Sequence, residues 1–226
     1  DLVPGHRLLH RHVHLTLPTP GPYGPGVTTL GRSTTMPIIS GGKIIEGARA
    51  SSVSAALGSP AVGATTAIHA AVTDTGADQV VTTGITQPDV ARNVTATAGG
   101  TSGDVKAIQV IVAGTDLEGN AITETLPAFT VNTTGTVTGS KAFATITSIT
   151  IPAHDGTGAT TAIGTGAKLG LPRRLDRNSV AAAYLNGTKE GTPPTVAVSS
   201  SVLASNTVTL NSTLDGSAVI VDFIAS

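Results

Sequence analysis

The fold is decided by residues 105–126, VKAIQVIVAGTDLEGNAITETL. A β-branched run, VKAIQVIVA (105–113), meets Thr115-Asp116-Leu117-Glu118-Gly119-Asn120 and then a second run, AITETL (121–126). Side chains branched at Cβ fit a pleated, half-buried surface, and a Gly/Asn/Asp cluster between two such runs reads as a hairpin turn. Ile108, Val110 and Val112 share one face at a period of two. Gln109 and Ile111 fall on the other, and Ile111 there predicts a strand covered on both sides.

The same pattern continues in both directions. FATITSITI (143–151) places Ile149 and Ile151 on one face with Thr147, and Asp155-Gly156-Thr157-Gly158 and KLGL (168–171) follow. VNTTGTVT (131–138) has a central Gly and reads as a hairpin or a bulged strand. VAAAYL (180–185) leads into Asn186-Gly187, a strong hairpin signal. Further runs lie at 195–198, 207–210 and 218–223, the last preceded by the turn Leu214-Asp215-Gly216 and aligning Val219, Val221 and Phe223. Short β-branched runs at roughly ten-residue spacing predict an all-β chain: an antiparallel β-sandwich or barrel-like domain over 78–226, with a possible sub-boundary near 175. Helix is nearly absent on this reading. The expected core comprises Ile108, Val110, Val112, Phe143, Ile149, Ile151, Val219, Val221 and Phe223.

Residues 41–77 are rich in Gly, Ala and Ser, with scattered Ile44, Ile45, Val53, Leu57, Val62 and Ile68. Neither helical nor strand periodicity is clear there. Residues 36–77 therefore read as an extended N-terminal arm carrying short strands. Residues 1–35 differ again: they hold four of the six His (His6, His10, His12, His14) and five prolines. Met36, the only methionine, precedes PIISGGKIIEG. The expectation is that the functional chain starts at Met36 and that 1–35 is an upstream extension; a Pro-rich arm is the alternative. His6, His10 and His14 would share a face if helical, but Pro18 stops such a helix and no carboxylate follows Asp1 nearby. A solvated arm is favoured over a metal site.

Composition narrows the function. There are three Phe, two Tyr and no Trp, so the core must be aliphatic. Aromatic side chains dominate ligand pockets and interface hot spots, and their scarcity argues against a small-molecule enzyme and a sugar-binding lectin. Charged residues are 12% of the chain, against the usual ~25%. Mean hydropathy is +0.23, and with so many β-branched residues this excludes disorder by charge. A weakly charged, Thr- and Ala-rich surface suits extended subunit contacts, or is simply kept wet by hydroxyls. Net charge is −1 without a basic stripe, so direct nucleic-acid binding is not expected. The absence of cysteine removes disulfides and thiolate metal sites. No apolar run is long enough for a membrane-spanning helix, and His and Pro stand where a signal peptide would be apolar.

No coherent catalytic set emerges, so the expectation is a non-enzyme with no catalytic, cofactor-binding or metal residues and no cofactor. After Met36 the only histidines are His69 and His154, and there is no Gly-x-Ser-x-Gly elbow. His154-Asp155 reads as a polar loop pair. Residues 164–170, GTGAKLG, lack phosphate-loop spacing and read as a turn feeding a strand. Asp116 to Asn120 resembles part of a calcium loop but lacks its alternating oxygen ligands, so a hairpin turn is favoured. The Asn-x-Ser/Thr triplets at Asn93, Asn132, Asn186 and Asn211 arise easily in a chain this rich in Ser and Thr and are not read as glycosylation sites.

The strings ITQPDVARNVTAT (85–97), GTDLEGNAITETL (114–126), KAFATITSITIP (141–152) and IGTGAKLGLPRRL (163–175) resemble virion structural proteins of tailed bacteriophages. So do AAYLNGTKEGTPPTV (182–196) and NTVTLNSTLDGSAVIVDF (206–223). The resemblance covers about residues 36–226 and carries over no functional residue. It implies a capsid decoration (cement) protein on the exterior of the phage head, present in the host cytoplasm during assembly. The implied partners are the major capsid protein and other copies of itself, as a homotrimer seated at a capsid symmetry axis, without nucleic acid or membrane. The alternatives are a tail-tube or head–tail subunit, and a fibre or adhesin module binding the host surface.

Overall fold

The structure is a computed structural model that describes residues 39–40, 43–44 and 51–225. The expectations for residues 1–35, for Met36 and for the four early histidines lie outside the described residues. In chain order the strands are β1 (Ile39–Ser40), β2 (Lys43–Ile44), β3 (Ser51–Gly58), β4 (His69–Thr73), β5 (Gln79–Val81) and β6 (Arg92–Gly100). They continue with β7 (Ile111–Thr115), β8 (Ala121–Thr125), β9 (Gly135–Phe143), β10 (Thr145–Ile151) and β11 (Ala159–Gly170). The last are β12 (Val180–Leu185), β13 (Thr188–Lys189), β14 (Thr195–Ala197), β15 (Thr207–Thr209) and β16 (Val219–Ala225). Helix among the described residues is limited to two 3₁₀ turns, Ser102–Asp104 and Leu203–Ser205.

Every pairing is antiparallel, as the all-β reading predicts. One sheet runs β5-β10-β7-β8, a second β14-β15-β11-β6-β9 with β4 beside β11, and a third β13-β12-β16-β3. β1 and β2 form a separate hairpin.

Two apolar cores result. In the first, Val94, Ala96 and Ile163 of the second sheet meet Val112, Ile146, Ile149 and Ile151 of the first. In the second, Leu169, Leu171 and Val208 meet Ala55, Ala183, Val219, Val221 and Phe223. The twelve-residue β11 serves both: Ala159 and Ile163 near its start lie in one core, Leu169 near its end in the other.

The turns follow from local chemistry. Asn186 and Gly187 take φ of 51° and 73°, the left-handed pair that a two-residue hairpin between β12 and β13 requires. At the β7–β8 hairpin, Asp116 Oδ1 accepts the N–H groups of Glu118 and Asn120, each at 2.9 Å. A short acceptor that closes the backbone two and four residues on explains why Asp stands there.

Of the expected core, Val110, Val112, Phe143, Ile149, Ile151, Val219, Val221 and Phe223 are buried, and Ile108 is partly buried against the first core. Ile111 is 36% exposed, so its strand is covered on one side only. Thr147 is exposed while Ile146 is buried, because β10 slips register between Ile146 and Ser148. That bulge breaks the period of two that aligned Thr147 with Ile149. The 131–138 string is a turn at 131–132 followed by β9 from Gly135, with Asn132 at φ 56° taking the left-handed position expected of the glycine. Part of the expected arm is integral sheet. β3 pairs along β16, β4 pairs with β11, and Ala55 and Ile68 are buried in the two cores. Deleting 36–77 would therefore damage folding as well as any contact the arm makes.

Both neighbours of β6 bulge beside the stretch 92–95. Thr165 pairs with Val94 and Leu169 with Arg92, leaving residues 166–168 out of register on β11. On the other side Asn93 pairs with Ala142 and Thr95 with Thr138, leaving 139–141 out of register on β9. Two buried polar side chains hold these bulges. Arg92, 1% exposed, donates from Nε to Gly166 O at 2.7 Å and again from Nη2. Its Nη1 donates to Ala61 O at 2.9 Å and to Asp89 at 3.1 Å. Asn93, fully buried, accepts the Lys168 N–H at 2.9 Å and donates to Gly139 O at 3.0 Å. A Cβ on Gly166 would stand 2.4 Å from Asn93 Oδ1, so only glycine fits.

Two stability measurements test this account. Phe223→Ala should cost about 3–5 kcal/mol in urea unfolding; a loss under about half a kcal/mol would place the ring on the surface. Arg92→Ala should cost about 3 kcal/mol or more, because it orphans the Gly166 and Ala61 carbonyls. Arg92→Lys should recover less than half, since an ammonium lacks the planar fork that reaches both carbonyls and Asp89 together.

Candidate functional site

His154 is the most enzyme-like residue of the described chain. It follows β10 and is 7% exposed, with its ring stacked on Phe129 at a centroid distance of 6.0 Å. Nδ1 accepts the Lys106 N–H at 3.1 Å, so the proton sits on Nε2, which donates to Thr161 Oγ1 at 3.1 Å. Asp74 is close, but its Oδ1 accepts the His154 backbone N–H at 3.1 Å and its Oδ2 the Gly76 N–H at 3.1 Å. The carboxylate thus holds the main chain instead of orienting the imidazole. Thr161 is 1% exposed and faces no solvent path to a substrate. A base needs a reachable proton and an orienting acid on its second nitrogen, and here a backbone amide takes that place. His154 is a structural tie between the segment before β7 and β11.

The other sequence candidates are likewise occupied. His69 turns Nδ1 toward Ala70 O at 2.8 Å. Asp116 is used by its own hairpin. Residues 164–170 lie inside β11, where a Cβ on Gly164 would meet Ala64 O at 2.1 Å, so the segment is strand and not an open loop. Asn93 is fully buried and inaccessible to a glycan. Among the described residues no three His, Asp or Glu side chains converge as metal ligands. No described helix is long and apolar enough to cross a membrane.

Two recesses mark the surface. One, of about 200 Å³, lies beside β12 and is lined by Lys189, Glu190, Pro193 and Pro194. Its carboxylate is engaged, since Glu190 Oε2 accepts the N–H groups of Asn211 and Ser212 at 2.9 Å each. The other is an open groove of about 440 Å³ along Gly63, Thr165, Leu210 and Thr213. Neither brings together a nucleophile and a base.

The most distinctive surface is the outward face of the β5-β10-β7-β8 sheet. Register aligns Val80, Thr150, Ile111 and Thr125 in one row across four strands. Parallel rows hold Ser148, Ala113 and Thr123, then Thr145, Thr115 and Ala121. Thr115 and Thr145 hydroxyls meet at 2.7 Å. No charged residue occupies any of these outward positions. Such a face can pack against another protein without stripping water from ions.

Compared with known proteins, the chain matches no family model, no curated protein and no solved structure.

Sequence reading missed the buried polar centres. Besides Arg92 and Asn93 these include Glu124, which accepts the Ser140 N–H and hydroxyl at 2.7 Å each, and Asn206. Asn206 takes the N–H groups of Leu175 and Ser199 at 2.9 Å and donates to Ser199, Val202 and Leu203 carbonyls. The available signal was an isolated Arg-Asn pair opening an otherwise uncharged β-branched run.

Burial holds the His154 imidazolium form down, against a smaller opposing pull from Asp74, so the folded chain protonates it below the usual 6.5. The unfolded chain takes up that proton first. Stability from this group is therefore full above about pH 6.5 and is lost as pH falls toward the folded value. His154→Gln should flatten that slope in urea midpoints measured across this window; an unchanged slope would show that His154 is not its source. Asp89 behaves in the carboxylate range. Burial pulls its acid up, but the Ala61 N–H, Arg92 and the Val90 N–H outweigh it, leaving the acid below its usual 3.8. Its contribution is present above about pH 3.8 and is lost as pH falls through the folded value.

Proposed function

We propose that this chain is a non-enzymatic virion structural protein that binds and stabilises the outside of a tailed-phage capsid. The observation that carries this reading is the uncharged outward face of the four-stranded sheet, with Val80, Thr150, Ile111 and Thr125 aligned in the one row that crosses all four strands. It is a broad and rigid surface of hydroxyls and small apolar groups, on a chain whose buried acids and histidine are engaged in structural hydrogen bonds. The resemblance of residues 36–226 to virion proteins supports the same reading and supplies the partner, the major capsid protein. Repetition over a symmetric shell lets each contact be weak and the sum be strong.

The test uses particles that lack the protein. Purified chain should bind them, saturate at a fixed number of copies and raise the temperature at which they release DNA, as expected for a ligand of the assembled state. Ile111→Lys and Thr125→Lys should weaken that binding at least tenfold with unfolding midpoints unchanged, because a lysine placed at the contact must be desolvated without a partner. Particles that bind no protein, or bind it without gain in stability, would end the cement reading. The tail-subunit and host-surface adhesin readings would then move ahead.

A further inference from the structure

We propose that the chain pairs with a second copy of itself through β3, antiparallel and edge to edge, with Ala55 on the two-fold axis. This rests on the edge chemistry of the described sheets and stands apart from the capsid reading.

Most edges of this molecule are short or blocked. β5 and β14 have three residues each and β13 has two. Pro193-Pro194 stands before β14. On β8 the Thr123 carbonyl is taken by Lys141 Nζ at 2.7 Å. On β9 the Ser140 and Lys141 amides are taken by the Glu124 carboxylate. Such devices prevent open strands from recruiting neighbours.

β3 carries one irregularity, a bulge at Leu57 where its register with β16 shifts, but no proline, charge or side-chain cap. Its eight residues, SSVSAALG, include no charge and no proline. One side of the strand is paired along its length with β16, and its other side has no strand among the described residues. A free row of main-chain donors and acceptors on an uncharged strand is complementary to itself when reversed.

Side-chain pattern selects the register. Ala55 is buried in the second core, while Val53 and Leu57 on the same face are only half-buried against it. With Ala55 on the axis, Val53 of one copy stands opposite Leu57 of the other, so each covers the flank the other leaves wet. On the outer face Ser54 stands opposite Ala56. On the adjacent β16, Ile220 and Ile224, 36% and 45% exposed, flank Asp222, which pairs with Ser54 and places one carboxylate beside the seam in each copy. No like charges face one another across this axis.

The proposed contact is two-fold, where the resemblance implies a homotrimer. A ring of three would need β3 to meet a different edge, whereas one edge meeting its own copy in reverse closes as a dimer.

The chain has no cysteine, so introduced thiols report without background. Ser54 and Ala56 are both exposed in the single chain, so Ser54→Cys and Ala56→Cys should fold normally. On the proposed register, position 54 faces position 56 of the partner. Identical positions lie on the diagonal at about 7–8 Å, too far for a disulfide. An oxidised mixture of the two full-length variants should cross-link several-fold faster than either alone. Sedimentation velocity should show a reversible dimer for the parent chain and a monomer for Ala56→Lys. Equal cross-linking in all three samples, a parent chain that stays monomeric at the highest attainable concentration, or a trimer that survives Ala56→Lys would each overturn the proposal.

Discussion

The hydrogen bonds from the Arg92 guanidinium to the Gly166 carbonyl are the constraint on which the rest of the fold depends. β11 must line two separate apolar cores, and it does so with a bulge at 166–168 between them. A bulge bends a strand and leaves main-chain groups without ladder partners. In an interior they must be paired, or each costs on the order of 1–3 kcal/mol. Arg92 and Asn93, adjacent on β6, supply those partners from the centre of the sheet. The planar fork of Arg92 reaches across to Ala61 and Asp89 as well, tying the segment after β3 to the same point. Removing the guanidinium would therefore loosen the junction between the cores more than either core itself.

The same economy commits the buried polar groups of the described residues to structure. The chain has few charged residues, and those it buries are committed chiefly to main-chain groups: the acids accept N–H groups and Arg92 donates to carbonyls. Glu124 closes the β9 bulge, Asp116 closes a hairpin, and Asp74 and His154 fasten the segment that follows β10. Among the described residues no buried side-chain nitrogen or oxygen lacks a partner. A saturated polar interior is a rigid one. On the surface, the outward face of the four-stranded sheet is a charge-free array of Thr, Val, Ile and Ala.

How much of this was legible in the sequence depends on the range of the physics involved. Hairpin turns at Asp116–Asn120 and Asn186-Gly187 are local and were readable, as was the alternation of Val219, Val221 and Phe223. Bulges are not local: nothing around Thr147 announces that β10 slips there, so the expected face broke at that residue. Ile111 was expected to be covered because apolar alternation does not say whether a second layer exists. β3 was hidden by its Ser and Ala content, since its strand conformation comes from pairing with β16 and not from propensity. Arg92 and Asn206 were invisible as hubs, because their partners lie up to 74 residues away. No candidate site was legible from spacing, and the outward face emerged only once register placed Val80, Thr150, Ile111 and Thr125 side by side.

The role proposed for this β-structure is that of a passive layer on a phage head. It is tested most directly by reconstructing, at modest resolution, an intact particle that contains the protein. The account predicts extra density on the capsid exterior, at a fixed copy number, with the β5-β10-β7-β8 face turned toward the shell. Density confined to the tail, or a capsid exterior without it, would contradict the account.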